Sequence, residues 1–291
     1  MKSFEPLSGH TTFRIGGKAR YWYEPEDSSE LAAFLKGAVV ARSIFVIGAG
    51  SNLLVKEGVI NKIFVHLSNP SFREIDVQGR FVSAGAGVAI SRLVAVLRNK
   101  NLTGYEFLAG IPGTIGGALA MNAGAKIDFC SRVSYREMKD IVSEITIMKK
   151  NGKISTLEKK EIKFSYRNSS LRSAIILSAK LALRAGSKKQ TSERIRRIIK
   201  NRLKNQDWRY PSAGSFFKNP AQSMPAGRLI DLCGLKGAKE GGACVSRKHA
   251  NFIINENNAK SRDVIKLMEK IKKNVYNRFK INLEPEVEIV S

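Results

Sequence analysis

Between Phe107 and Ala125 the chain runs for nineteen residues without a charged side chain, and five of those residues are glycine and one, Pro112, is proline. An uncharged run of about 20 residues is nominally long enough to span a bilayer. In lipid, however, a helix must satisfy every backbone amide internally, and this much glycine and proline opposes a stable lipid-exposed helix. The run is therefore expected to be buried loop and turn. Its small residues allow two arrangements: a tight crossing of core elements, or a backbone surface laid against a flat or phosphorylated ligand.

Two shorter glycine motifs precede it. Gly48-Ala49-Gly50-Ser51-Asn52-Leu53 follows the strand-like Ser43-Ile44-Phe45-Val46-Ile47, and Gly85-Ala86-Gly87 follows Arg80-Phe81-Val82-Ser83. Glycines after a strand let backbone N–H groups approach an anion closely. Neither motif completes the dinucleotide-binding fingerprint, because its third glycine is replaced by Leu53 in one and Ile90 in the other, and no Walker lysine follows. Taken singly, each reads more readily as a turn than as a ligand site.

Composition narrows the class. With 43% hydrophobic and 26% charged residues over 291, the chain is a folded protein rather than a disordered one. Fifty Lys and Arg against 25 Asp and Glu leave a formal charge of +25, so a polyanionic partner, and with it a basic nucleic-acid-binding protein, stands as the non-enzyme alternative. Cys130, Cys233 and Cys244 form no CxxC pair, and His10, His66 and His249 lie far apart, so neither a disulfide framework nor a metal site is expected. Met1-Lys2-Ser3-Phe4-Glu5-Pro6 carries no apolar signal core, which points to the cytoplasm.

Local signals predict mixed strands and helices. Asp27-Ser28-Ser29-Glu30 reads as a capping box for a helix stopped by Gly37, and Ile90, Leu93, Val94 and Leu97 share one face of a second helix. Strands are expected at 63–67, 141–148, 154–157, 174–177 and 181–183, with Asn151-Gly152 supplying the positive φ values of a tight hairpin, and at 281–290. Beyond Gly186, Thr191 is expected to cap a basic helix, and Ser261 another that carries Val264, Leu267, Met268, Ile271 and Val275. The basic helix suits a polyanion or, equally, a solvated amphipathic surface.

Six segments now carry a resemblance. In order along residues 11–287 they are Thr11-Thr12-Phe13-Arg14-Ile15-Gly16-Gly17, Gly48 to Leu54, Gly110-Ile111-Pro112-Gly113-Thr114-Ile115-Gly116-Gly117, Phe164-Ser165-Tyr166-Arg167-Asn168-Ser169, Gly214-Ser215-Phe216-Phe217-Lys218-Asn219-Pro220 and Leu283-Glu284-Pro285-Glu286-Val287. Together they resemble the UDP-N-acetylenolpyruvoylglucosamine reductase family. The 48-residue separation between Arg167 and Ser215 resembles its shorter subclass, which lacks a tyrosine-bearing substrate loop. One stretch departs from the family: where a short turn is usual after Ala125, Lys126 to Glu137 is longer and contains Cys130, Arg132 and Arg136.

The resemblance implies an α+β fold: a vanillyl-alcohol-oxidase-type (PCMH-type) FAD-binding unit of two subdomains, residues 1–65 and 66–186, and an α+β substrate domain, 187–291. It implies noncovalent FAD held by Gly48, Ala49, Gly50, Ser51, Asn52, Leu53, Gly110, Pro112, Gly113, Thr114, Gly116, Gly117, Asn122 and Gly124. NADPH is then the reductant and a UDP-sugar enolpyruvyl ether the substrate, with no specific nucleic acid and no membrane insertion. Another flavin oxidoreductase on the same fold is the nearer alternative. By the same resemblance Arg167 stabilises developing negative charge, Ser215 donates a proton and Glu286 is their acidic partner. Lys218 and Asn219 offer donors to a pyrophosphate or sugar oxygen. His249 either contacts the nucleotide or is a hydrogen-bonded structural histidine.

Overall fold

The structure, a computed structural model, describes residues 1–37, 43–129, 132–221 and 223–291. Its helices are α1 (Ser28–Lys36), α2 (Ile90–Leu97), α3 (Ile115–Ala120), α4 (Lys188–Asn205), α5 (Ala226–Leu232) and α6 (Ser261–Phe279). The chain divides into two compact units, one formed by Tyr23–Ala49 and Ile63–Arg202, the other by Lys2–Trp22, Gly50–Lys62 and Leu203–Ser291.

The first unit is built on a five-stranded antiparallel sheet in the order Ile154–Glu158, Val142–Met148, Ile175–Ala182, Phe81–Gly85, Ile75–Gln78. One face of the sheet is the buried one, and on it Val82, Ile145 and Leu181 are fully enclosed. The edge strand Ile154–Glu158 alternates half-buried with exposed residues. The two apolar runs expected at 174–177 and 181–183 are one strand, since Ser178 and Lys180 point to its more accessible face without interrupting the ladder. Helix α2 has the apolar stripe expected of it: Ile90, Leu93, Val94 and Leu97 are buried. Eight residues are too few for a helix to stand alone in water, so this burial, roughly 1.5–3 kcal/mol per large side chain, is what holds it.

The second unit has a four-stranded antiparallel sheet, Ser212–Ser215, Phe252–Asn255, Ala243–Val245, Lys239–Glu240. Helix α6 packs on this sheet and against α5. Val264, Leu267, Met268, Ile271 and Val275 enter one apolar cluster with Phe13, Leu54, Phe216, Phe217 and Leu229. Glu288–Val290 pairs in parallel with Leu53–Val55.

Several local expectations are corrected. Thr191 is not a cap: α4 starts at Lys188, the Ser187 carbonyl accepts from Thr191 N–H, and the buried Thr191 hydroxyl donates to the Leu102 carbonyl. Ser261 is the first residue of α6, where its hydroxyl donates to Glu57 at 2.6 Å, and the cap is Lys260, whose N–H donates to Asp263. In the Asn151-Gly152 turn only Gly152 has positive φ (79°), and Gly152 N–H and the Lys149 carbonyl close a turn with one extra residue before Lys153. Of the strand expected at 281–290 only Glu288–Val290 forms. Asp27 does cap α1, accepting from Ser29 and Glu30, while the Glu30 carboxylate turns to Glu26 N–H and the Tyr23 hydroxyl. No helix among the described residues is long and apolar enough to cross a membrane.

Candidate active site

In the first unit the three glycine motifs meet. A Cβ built on Gly48 would lie 2.5 Å from Thr114 Oγ1, so the turn after Ile44–Ile47 approaches the start of α3 at a distance only glycine permits. Val88 and Ala86 accept from Ile115 and Gly116 N–H, and Gly113 accepts from Ile90 N–H, which seats the Gly85-Ala86-Gly87 segment under the same loop. Thr114 caps α3, its hydroxyl accepting from Gly117 N–H at 3.3 Å. Gly110 and Gly113 take φ of 74° and 141°, both in the region that favours glycine. Among the described residues no protein acceptor meets the N–H groups of Gly48, Ala49 and Gly113. Unsatisfied, accessible N–H groups on glycine-lined turns are what a diphosphate-bearing group such as FAD requires, so the residues present fit it.

Pro112, beside Gly113, is exposed, and Gly117 lies on the outer side of α3. Asn122 and Gly124 sit deeper. Asn122 is fully buried with φ of 43°; its amide donates to the Ser165 carbonyl and accepts from Lys139 N–H. A Cβ at Gly124 would meet the Arg136 carbonyl at 2.4 Å. Both residues therefore shape the backbone around the loop. In the segment after Ala123, Gly124–Phe129 pairs antiparallel with Arg132–Glu137; Cys130 lies outside the described residues.

Arg167 is carried by this unit at the second position of a two-residue turn, with Ser165 paired to Asn168 and φ of 57°. Such a φ is uncommon for a residue with a Cβ. Its Nη1 donates to the Tyr135 hydroxyl at 2.7 Å, and its Cζ lies 5.2 Å from the Tyr166 ring centroid and 5.9 Å from that of Tyr135. Arg202 is held below the ordinary arginine range by burial and then by the charge of Arg167. Sequence reading missed Tyr135, Tyr166 and Arg202; nothing in their spacing from Arg167 signals them.

The second unit brings together Ser215, Glu286 and Asn52. Ser215 ends the strand Ser212–Ser215, after Gly214 with φ of 77°, and pairs with Phe252. Glu286 N–H donates to the carbonyl of Phe216 at 2.8 Å, and the Glu286 carbonyl accepts from Asn52 Nδ2 at 3.0 Å. Two consecutive fully packed rings, Phe216 and Phe217, hold the peptide that follows Ser215. Ser51 and Leu53 continue from Gly50 into the strand paired with Glu288–Val290. A Cβ at Gly50 would strike the His10 carbonyl at 2.1 Å, which ties this end of the motif to the Thr11–Gly17 segment.

Lys218 pairs with Glu284 at 3.2 Å and remains more than a third exposed. Asn219 Oδ1 accepts from Ala226 N–H at the start of α5. His249 stacks near Phe252, with ring centroids 4.6 Å apart, and its Nδ1 accepts from Asn251 N–H. Burial, and after it the Lys236 charge, hold its pKa below the ordinary histidine value.

Comparison with known proteins agrees along the whole length. Residues 19–158 match the FAD binding domain family, and residues 206–290 match the C-terminal domain of UDP-N-acetylenolpyruvoylglucosamine reductase. The reductase of that name from Caldanaerobacter subterraneus is 41% identical over 98% of this chain and 92% of its own. The chain belongs to the UDP-N-acetylenolpyruvoylglucosamine reductase family. The reductase of Clostridioides difficile is 37% identical over 100% of this chain and 93% of its own. The crystal structure of the Thermus caldophilus reductase superposes with a TM-score of 0.84 at 32% identity, covering 98% and 97% of the two chains. The reductase fold is thus α+β with an FAD-binding unit of the expected class.

Proposed function

We propose that the chain reduces the enolpyruvyl ether of UDP-N-acetylglucosamine to UDP-N-acetylmuramate in peptidoglycan precursor synthesis, with NADPH as electron source and noncovalent FAD as cofactor. The observation that carries this reading is the pairing of Glu286 with the residue after Ser215, because it sets a hydroxyl and a carboxylate on adjacent backbone segments inside one family-matched unit. Gly48 to Leu53 and Gly110 to Gly117 would hold FAD through backbone N–H groups. FAD held there would supply hydride-transfer chemistry between NADPH and the enolpyruvyl double bond.

Negative charge then develops on the carbon beside the substrate carboxylate. Arg167 stabilises it as an enolate through a charge-assisted hydrogen bond. Ser215 donates its proton to that carbon and completes the lactyl ether, while Glu286 orients the hydroxyl and helps return a proton to it. Lys218 is accessible enough to meet a phosphate or sugar oxygen. Asn219 would act from the cap of α5 and His249 through a largely enclosed ring. Residues 1–65 and 66–186 serve the cofactor and 187–291 the substrate, and the reaction is assigned to the cytoplasm without nucleic acid or membrane insertion.

The test is direct. Purified protein should carry a flavin spectrum, release FAD on acid precipitation, and turn over NADPH through repeated cycles when the enolpyruvyl ether is present. Colourless protein that cannot be reconstituted with FAD, or substrate-independent turnover alone, overturns the reading.

A further inference from the structure

We infer that Tyr135, supplied by the Gly124–Glu137 hairpin, is a positioning residue that fixes the guanidinium of Arg167 for reaction. The inference rests on the reading of Arg167 as the group that meets the substrate. Here Gly124–Phe129 pairs antiparallel with Arg132–Glu137, and buried Met138 follows directly. Tyr135 lies three residues before that anchor, and Met138 N–H donates to the Ala123 carbonyl, so its backbone has little freedom.

Three contacts converge on one guanidinium. The Tyr135 hydroxyl accepts from Nη1 at 2.7 Å, a short charge-assisted bond, and the Tyr135 and Tyr166 rings flank Cζ with centroids 6.4 Å apart. A hydroxyl in this place takes up one N–H of the planar fork and sets its direction. An arginine on an exposed turn would otherwise lose several rotamers on meeting its ligand, and a fixed one does not. The uncommon φ of Arg167 agrees, since such conformations persist where surrounding structure imposes them.

Tyr135→Phe deletes the acceptor and keeps the ring. In rapid mixing, flavin reduction by NADPH should stay within about twofold of wild type. Reoxidation by the enolpyruvyl ether should slow by about 10- to 100-fold, with the loss in kcat and KM shifted by less than about threefold. In an Arg167→Lys background the same change should cost less than about threefold, because the tyrosine acts through the arginine. Tyr135→His, whose ring nitrogen can accept the same N–H, should recover part of the rate. Flavin content and thermal midpoint are measured on each variant, and if Tyr135→Phe loses either, the His variant and the Arg167→Lys cycle built on it decide. Reoxidation unchanged in Tyr135→Phe, costs that multiply in the double variant, or no recovery with His overturns the tyrosine's role. Wild-type protein that never passes electrons to the enolpyruvyl ether overturns the functional reading itself, a distinguishable failure.

Discussion

Arg167 and Ser215 are held in place by different means. Arg167 sits at the tip of a hairpin with two residues in each strand, its backbone in a left-handed conformation and its side chain fixed by two tyrosines. Ser215 ends a strand of a four-stranded sheet, and the next two side chains are buried in the apolar cluster that α6 shares. The arginine is positioned by side-chain contacts and can be lost without disturbing the fold around it. The serine is positioned by backbone, so its hydroxyl can be removed cleanly but its location cannot be altered without unpacking a core.

The largest effect is expected from Ser215→Ala. It removes only a hydroxyl, so stability should hold while flavin reoxidation by the enolpyruvyl ether slows by about 10² to 10⁴ and reduction by NADPH continues. Rapid-mixing absorbance separates the two half-reactions; wild-type reoxidation would remove Ser215 from the chemistry.

Arg167→Gly probes the other side. Reoxidation should fall by about 10² to 10³, the range for losing one preorganised electrostatic contact. Unfolding free energy should stay within about 1 kcal/mol of wild type, because glycine relieves the left-handed backbone while ring contacts of similar size are lost. A much larger loss in denaturant titrations would mean that the arginine holds the hairpin, and the contrast with Ser215 would fail.

How these residues were legible follows from the same contrast. The apolar face of α6 and the stripe on α2 were readable because burial imposes a period on the sequence. The meeting of Gly48 with Thr114 was not, since glycine shows that something comes close but never what. Thr191 and Ser261 looked like caps because a hydroxyl before an apolar run usually is one, yet Leu102 and Glu57 claimed them from distant segments. Ordered motifs identified Arg167, Ser215 and Glu286 as candidates; Tyr135 lies outside those motifs, and the register of its strand pair brings it to Arg167.

A smaller effect is expected at Gly48. Gly48→Ala places a methyl against Thr114 Oγ1 and should cost about 1–3 kcal/mol, read as weaker FAD binding by apoprotein in a fluorescence titration. Unchanged affinity would separate this contact from the cofactor.

The mildest is a pH effect in the serine-bearing unit. His249 has a folded pKa below its unfolded value near 6.5 because burial disfavours its cation. Its contribution to stability is present above pH 6.5 and lost as pH falls, since the unfolded chain then takes up the proton more readily. The thermal midpoint should decline from pH 7 to 5.5, and His249→Gln should flatten that slope. An unaltered slope would place the titration elsewhere.

The serine-bearing unit is also assembled from three separated stretches of chain, and its closing contacts come from the last of them: Lys56 N–H donates to the Val290 carbonyl, and Lys62 Nζ to the Ser291 carbonyl. A ribosome adds about 5–20 residues per second, so Ser291, 229 positions after Lys62, takes roughly 10 to 50 s longer to appear. Throughout that interval Leu53, Leu54 and Val55 are translated apolar strand without their partner. Until Glu288–Val290 is made, Leu53–Val55 therefore lacks the strand it pairs with, and a chaperone acting on the growing chain would find its client surface there.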